Sequence, residues 1–236
     1  MSVGHEIDAD NASWTFGGKV AETFVEHIRQ SVPMYEEGHD LTCQLSDYFV
    51  SNGSTCYELG VSTGELLKKL AERNAAKPGA RWIGIDTERP MIDQAKKHCK
   101  GIKNIELVED DIRVFEFEPA DLMVSYYTMQ FTPPRDRQAI FDKIYESLNW
   151  GGAFIMFEKV RGPDARFQDI CSSLYNDFKT EQGFSAEEIL SKTRSLKGVL
   201  EPFSTEGNIG LLERAGFSDV MTISKYICFE GFLAIK

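Results

Sequence analysis

Short apolar strands alternate with amphipathic helices through the middle of the chain, and this alternation limits the fold more than any other feature. Strands that follow one another through helices run parallel, because each helix carries the chain back across one face of the sheet. The pattern therefore predicts an α/β domain with a mostly parallel sheet. The predicted strands are 55–60, 81–86, 104–109, 120–126 and 153–158, the last after a turn at 149–152, and the predicted helices are 65–74, 90–100 and 136–148.

Helical segments precede and follow this alternation. Helices are predicted at 19–32 and 41–50, after a polar segment 1–17 that we expect to be mobile. A helical insertion is predicted after the fifth strand, and a closing pair of strands at 217–227 and 229–235, behind a helix at 211–215, completes the chain. We expect one domain, 1–236: a Rossmann-like, seven-stranded, mostly parallel sheet with an antiparallel last strand, an N-terminal helical part (1–50) and the insertion (160–205). The insertion has apolar residues at helical spacing, namely Phe167, Ile170, Leu174 and Phe178.

Charge and composition narrow the classes of partner. The 236 residues include 37 acidic and 26 basic ones, a net charge of −11, so a nucleic-acid backbone is not expected as a partner. No apolar run reaches the roughly 18 residues of a membrane helix, and the acidic N-terminus lacks the features of a signal peptide. The five cysteines form no C-x-x-C pair and the four histidines do not pair, so neither a disulfide framework nor a metal site is expected. We expect a cytoplasmic protein with a small-molecule substrate and no metal.

A glycine-containing turn joins the first strand to its helix, with the pattern Glu58-x-Gly60-x-Ser62-x-Gly64. Small residues here let the backbone approach a ligand, and the helix that follows directs its N–H groups at negative charge. The second strand ends at Asp86, whose carboxylate oxygens suit the two hydroxyls of a ribose. Together these features favour a nucleoside ligand over a plain tight turn with a solvated aspartate.

The same turn also matches G-x-S-x-G, the nucleophile elbow of α/β-hydrolases, with Ser62 as the nucleophile. That fold requires an acid and then a histidine later in the chain. His98 is the only histidine after Ser62, and it lies in the next predicted helix but one. The hydrolase interpretation is therefore disfavoured.

Two further strand ends contribute candidates. Asp111 and Ile112 follow the third strand, where an acidic and an apolar residue suit the amino group and ring of adenine; a solvated acidic turn is the alternative. Ser125 and Tyr126 end the fourth strand, at the edge where parallel sheets bind ligands. The aromatic residues that follow are either pocket lining or core.

These features in this order resemble class I S-adenosylmethionine (SAM) dependent methyltransferases, and over nearly the whole chain they resemble carboxy-SAM synthases. The resemblance implies SAM as co-substrate or substrate, Tyr35 near its amino-acid end, and a homodimer that exchanges the insertion. The cofactor-binding set also includes Met91, on the helix after the second strand. The matching stretches include Trp14-Thr15-Phe16, Arg29-Gln30-Ser31-Val32-Pro33, Asp110-Asp111-Ile112-Arg113, Asp142-Lys143-Ile144-Tyr145, Glu158-Lys159, Asp177-Phe178-Lys179 and Ala215-Gly216-Phe217.

Two departures from the synthases concern the reaction itself. Those enzymes pair the extra carboxylate with an arginine in Glu-Ile-x-x-Lys-Arg, whereas this chain has Thr193 at that position and Arg194 one residue later. One residue on a helix is a turn of roughly 100°, which predicts that Arg194 points elsewhere. The family also has an asparagine where this chain has Tyr126. Both departures argue against carboxy-SAM as the product.

The cationic sulfonium of SAM is stabilised by aromatic faces. We expect Tyr126 and Tyr175 to be the catalytic residues, although Tyr175 also suits the buried face of an insertion helix. The other candidates for this lining are Tyr127, Phe131 and Phe178.

Three functions remain open. The first is a SAM-dependent methyltransferase acting on a small molecule. The second is a SAM-converting enzyme without methyl transfer, which either makes carboxy-SAM or cyclises SAM to azetidine-2-carboxylate and methylthioadenosine. The third is a nucleoside-binding module without catalysis. No Ser/His/Asp or Cys/His set offers a strong base, so catalysis by positioning and exclusion of water is expected.

Overall fold

The computed structural model describes residues 10–15 and 20–236, and one seven-stranded sheet runs through it. The strands are β1 (Thr55–Leu59), β2 (Arg81–Asp86), β3 (Ile105–Glu109), β4 (Ala120–Tyr126), β5 (Leu148–Lys159), β6 (Asp219–Tyr226) and β7 (Phe229–Ile235). Their order is β3-β2-β1-β4-β5-β7-β6. Strand β7 runs antiparallel to β5 and β6 on either side of it, and the other pairs are parallel. The predicted Rossmann-like sheet with an antiparallel last strand is confirmed.

Eight α-helices accompany the strands in the described part of the chain. They are α1 (Val20–Ser31), α2 (Tyr35–Phe49), α3 (Glu65–Arg73), α4 (Arg89–His98), α5 (Pro134–Ser147), α6 (Ala165–Glu181), α7 (Ala186–Ser195) and α8 (Thr205–Ala215). The insertion consists of α6 and α7, and α8 begins directly after it at the N-cap Ser204. The predicted start of the first helix at Lys19, the segment 1–9 and Phe16 lie outside the described residues.

The core fills both faces of the sheet, because the central strands are covered by helices on each side. On β4, Leu122 and Val124 belong to the core under α2 and α3, and Met123 belongs to the core under α5 and α8. All three are fully buried. This explains why the strands read as continuous apolar runs. Since the strand order reverses direction between β1 and β4, their carboxyl ends border the crevice where such sheets bind ligands.

The starts of three elements differ from the predictions by five residues or more, and one of them is α8, which begins at Thr205 and not at 211. Helix α2 begins at Tyr35, because Met34 takes a left-handed conformation (φ 56°) that turns the chain sharply after α1. Strand β5 already begins at Leu148, so the predicted turn is an excursion within the strand. The pairing moves from Ala120–Leu148 to Leu122–Ala153 across this excursion.

The apolar face predicted for the insertion is turned toward solvent and not toward the sheet. Phe167, Ile170 and Leu174 on α6 are about half exposed, with 51%, 48% and 47% of their surface accessible. The inward side of α6 is formed by Cys171 and Tyr175, which pack against the core. An apolar stripe on α6 is therefore uncovered in a single chain.

Candidate functional site

A cavity of about 850 Å³ opens at the carboxyl ends of β1, β2 and β4. Helix α1 and the insertion helices α6 and α7 close it from the other side. Of the twelve residues predicted for the site, ten line this cavity: Tyr35, Glu58, Gly60, Ser62, Asp86, Met91, Asp111, Ile112, Tyr126 and Tyr175. The structure therefore brings together candidates that lie as far apart in the sequence as α2 and α6.

Gly64 and Ser125 are not among the residues that line the cavity, and their contact with a ligand stays a prediction. Gly64 is the N-cap of α3, where its φ of 81° ends the turn. Ser125 is fully buried, and its hydroxyl has no hydrogen-bond partner in the described structure. Side chains alternate along a strand, so Ser125 faces the core on one side of β4 while Tyr126 faces the cavity on the other.

The glycine turn is held to β2 through one carboxylate. The N–H of Ser62 donates to Asp86 Oδ2 at 2.8 Å, and the N–H of Glu88 donates to Oδ1 at 2.9 Å. A side chain at Gly60 (φ 78°) would collide with Thr128, so the turn can pass this close only with glycine. Burial raises the pKa of Asp86, although these N–H donors oppose the rise. Further lone pairs of this fixed carboxylate remain for hydroxyl groups of a ligand.

Ile112 and Asp111 form the wall beyond β3. Ile112 is buried, whereas the carboxylate of Asp111 accepts hydrogen bonds from the guanidinium of Arg113, including one of 2.8 Å. This pairing lowers the pKa of Asp111. An ionised acceptor beside an apolar side chain can bind an exocyclic amino group and a ring.

Aromatic rings form the wall between α2 and β4. The Tyr35 and His39 ring centroids lie 4.5 Å apart, and the Tyr126 ring lies 4.7 Å from His39 and 4.8 Å from Tyr127. The Tyr126 hydroxyl donates to the Tyr35 carbonyl at 2.7 Å. This hydroxyl occupies the space left by Gly38, because a Cβ at that position would collide with the hydroxyl oxygen. The hydroxyl of Tyr126 is thus already engaged, and its ring is the part that faces a ligand.

Two further cavity residues are strained or unpaired: Tyr127, which the sequence offered as a candidate for the aromatic lining, and His39, which sequence reasoning missed. Tyr127 has a φ of 59°, a conformation that costs free energy for a residue with a side chain and recurs at functional sites. His39 is buried, and neither ring nitrogen has a hydrogen-bond partner in the described part of the chain. Burial lowers the pKa of His39 to about 3, so the ring is neutral.

Glu58 is the most unusual carboxyl group of the cavity. It lies at the end of β1 and is 3% exposed. The backbone N–H of Leu67 donates to it, while Oε2 has no partner among the described residues. Burial raises the pKa of Glu58 well above its usual value. A carboxyl of this kind binds a proton more readily than an ordinary glutamate does, so it is a candidate acceptor for a proton from a neighbouring ammonium group.

Three lysines on the insertion side were also missed as site residues: Lys159, Lys179 and Lys192 line the cavity. The ammonium nitrogens of Lys159 and Lys179 lie 4.1 and 4.4 Å from the centroid of the Tyr175 ring, and that of Lys192 lies over the Trp14 ring. The Tyr175 hydroxyl donates to the carbonyl of Ser31 at 2.8 Å, which fixes the ring between the lysines. Their positions within matching stretches were visible in the sequence, but their burial was not.

The predicted displacement of the arginine on α7 is found in the structure. Thr193 lines the cavity, whereas Arg194 is exposed and lies outside it. The carbonyl of Arg194 accepts the N–H of Ala12, so this turn of α7 is fixed against the N-terminal segment.

No group of three or more histidine, cysteine, aspartate or glutamate side chains in 10–15 and 20–236 is placed to hold a metal ion. Within the same ranges, no helix combines the length and apolar character needed to span a membrane.

Comparison with known proteins gives concordant results. Residues 57–152 match the family model of a methyltransferase domain. A carboxy-S-adenosyl-L-methionine synthase of Staphylococcus epidermidis is 38% identical over 224 residues, covering 94% of this chain and 97% of that protein. The synthase of Klebsiella pneumoniae is 34% identical, covering 97% of this chain and 93% of that protein.

Solved structures match at lower sequence identity. A Nostoc punctiforme protein described as an O-methyltransferase superposes with a TM-score of 0.65 at 15% identity, covering 92% of this chain and 61% of that chain. Human N-acetylserotonin methyltransferase, solved in complex with SAM, has a TM-score of 0.52 at 19% identity and covers 94% of this chain and 61% of that one. At these identities the two structures establish the fold alone.

Proposed function

The chain belongs to the family of carboxy-S-adenosyl-L-methionine synthases, and we propose that in this member SAM is itself the substrate. It is a SAM-dependent enzyme on the class I methyltransferase fold, and we assign its chemistry to displacement at the sulfonium. Three carbons bonded to that sulfur are open to attack: the methyl group, the 5′ carbon of the ribose and the γ carbon of the aminobutyryl arm. We propose attack on the γ carbon by the α-amine of the same molecule, giving azetidine-2-carboxylate and methylthioadenosine.

The observation that carries this proposal is the buried carboxyl of Glu58. An α-ammonium group cannot act as a nucleophile until it loses a proton, whereas methyl transfer makes no demand on this amine. Glu58 has a free oxygen in the cavity wall and a raised pKa, which brings it nearer to the pKa of an α-amine. It also precedes the glycine turn, so it lies at the end of the cavity where an amino-acid arm would extend from the nucleoside.

The step balances without a further reactant. The α-ammonium gives one proton to Glu58, and the freed nitrogen lone pair forms a bond to the γ carbon. The bond between that carbon and sulfur breaks, and its electron pair stays on sulfur, which becomes the neutral thioether of methylthioadenosine. Glu58 then returns the proton to solvent. The aromatic wall of Tyr35, Tyr126 and Tyr127 stabilises the cation and keeps the arm folded, and such positioning lowers the barrier by several kcal/mol.

The positions of residues along the cavity wall support assignments to the other parts of SAM. We assign Asp86 to the ribose hydroxyls, Asp111 and Ile112 to adenine, and Tyr35 to the amino-acid end of SAM. The exclusion of Arg194 from the cavity supports a product other than carboxy-SAM, because no guanidinium is offered by the helix position that the family uses for the second carboxylate.

A second candidate is methyl transfer from SAM to a small carboxylated molecule. Lys159 of β5 and the insertion lysines Lys179 and Lys192 favour it, since cationic groups without carboxylate partners suit an anionic acceptor. In this case the product is S-adenosylhomocysteine and no methylthioadenosine is formed.

Incubation of the purified protein with SAM alone tests the proposal. We expect methylthioadenosine and azetidine-2-carboxylate in equal amounts, detected by mass spectrometry, at a rate well above that of SAM without protein. SAM that survives unchanged, in a preparation that binds it, would contradict the proposal and leave methyl transfer as the function.

Three further proposals concern the compartment, the oligomeric state and the substrate class of the protein. Five free cysteines, four of them buried, support a reducing compartment such as the cytoplasm. The uncovered apolar stripe of α6 supports a homodimer, since contiguous exposed apolar surface marks contact sites. The net charge of −11 supports small molecules rather than nucleic acid as substrates.

A further inference from the structure

Three ammonium groups converge on one region of the cavity without any counter-ion in the described chain. Lys159 and Lys179 share the Tyr175 ring, and Lys192 lies on the next helix over Trp14. None of the three donates to a carboxylate or carbonyl among the described residues, and Lys179 is only 7% exposed. Buried ammonium groups ordinarily have an anionic partner, so this arrangement lacks one component.

Electrostatic repulsion between these lysines also affects their pKa values. Burial is the main reason that the pKa of Lys179 falls to about 8 and that of Lys192 to about 6. In addition, Lys159 lowers the pKa of Lys179, and Lys179 lowers that of Lys192. A sulfonium entering the same cavity adds a further positive charge. The repulsion is relieved when an anion lies between these groups.

We propose that Lys159, Lys179 and Lys192 form a binding site for a carboxylate of a small molecule. This inference deepens the proposed function, on which it rests for the presence of SAM in the cavity. The carboxylate comes either from the aminobutyryl arm of SAM or from a second small molecule. In the first case the lysines hold one end of the arm on the insertion side, so the α-amine stays folded toward the γ carbon.

Binding measurements distinguish the two sources. Calorimetry compares SAM with its decarboxylated analogue, and then titrates malonate into protein loaded with that analogue. If the carboxylate of SAM occupies the site, the analogue binds wild-type protein at least tenfold more weakly than SAM does, and Lys179→Met removes this difference. If a second molecule occupies it, both SAM forms bind alike, malonate binds, and Lys179→Met weakens malonate at least tenfold.

Two variants complete the design. Lys103→Met removes an exposed lysine outside the cavity and is expected to bind every probe like wild type. If Lys179→Met does not fold, Lys192→Met takes its place. Wild-type affinity of the folded lysine variant for SAM and for malonate would overturn the inference. Failure of the proposed cyclisation leaves these binding results unaffected, because it shows only as SAM that survives incubation.

Discussion

Two buried glutamates, Glu58 and Glu158, differ in what their carboxyl groups face. Glu58 lines the cavity, whereas Glu158 accepts the backbone N–H groups of Met129 and Gln130 away from it. We predict that Glu58→Gln lowers the rate of methylthioadenosine release at least 100-fold, on the order of the contribution of a general base. The amide keeps the shape of the side chain, so the dissociation constant for SAM should change less than about threefold, within roughly 0.7 kcal/mol.

Glu158→Gln is the matched control for this prediction, because it neutralises an equally buried carboxyl outside the cavity. Its release of methylthioadenosine should stay within about twofold of wild type. Single-turnover kinetics with calorimetry of SAM binding separates the two effects. Equal losses of rate in both variants would assign the effect of Glu58→Gln to the fold and not to proton transfer.

Tyr126 combines a place in the cavity wall with a place in the core. Its ring packs against Phe157 at 4.8 Å, and its hydroxyl bonds the Tyr35 carbonyl. We predict that Tyr126→Ala lowers the free energy of unfolding by about 3–5 kcal/mol, in addition to its effect on turnover. Tyr126→Phe keeps the ring and should retain most of the turnover. Denaturant unfolding and steady-state rates of both variants check this, and a large loss of turnover in Tyr126→Phe would give the hydroxyl a direct role.

The buried Glu158, on β5, makes the stability of the fold depend on pH. Burial raises its pKa from 4.5 to about 8, so the native protein carries an extra proton between these values. This contribution is fully present below the unfolded value and is lost as pH rises toward 8. We predict that wild type loses roughly 1–3 kcal/mol more unfolding free energy than Glu158→Gln between pH 5 and 8. Urea unfolding of both proteins at several pH values measures the difference; parallel curves would contradict it.

Elements governed by local pattern were predictable, and those governed by packing were not. Strand β4 was predicted with its observed bounds, because its apolar run is long and begins directly after Pro119. The start of α2 was missed because a left-handed Met34 has no strong sequence signal. The apolar spacing of α6 is the same whether Leu174 faces the core or solvent, so its exposure could not be read from the sequence.

In the candidate site, too, residues marked by a local sequence pattern were predictable, and residues placed there by packing were not. Ten of twelve predicted residues line the cavity, because sequence motifs mark the carboxyl ends of strands. Ser125 does not line the cavity, because the alternation of side chains on β4 turns Tyr126 toward the cavity and Ser125 away from it. Lys179 and His39 were missed because their burial depends on how the insertion and α2 close over the sheet.

At the scale of the whole molecule, the exposed stripe of Phe167, Ile170 and Leu174 predicts association of two chains. We predict that Leu174→Arg shifts the protein from dimer to monomer, since a charge in an apolar contact is left unpaired. Light scattering after size-exclusion chromatography measures the mass. Asp169→Arg, a change of charge at an exposed position on the same helix, is the control and should leave the mass of a dimer unchanged. A monomeric wild type would contradict the prediction.

The central claim is that SAM is converted within one molecule, and the fate of its methyl group tests this most directly. Protein incubated with SAM that carries a trideuterated methyl group should release methylthioadenosine that retains all three deuterium atoms, together with unlabelled azetidine-2-carboxylate. Cyclisation leaves the methyl group on sulfur, so the label cannot leave the thioether. Release of unlabelled S-adenosylhomocysteine, with the deuterium recovered in another molecule, would contradict the account and identify the protein as a methyltransferase.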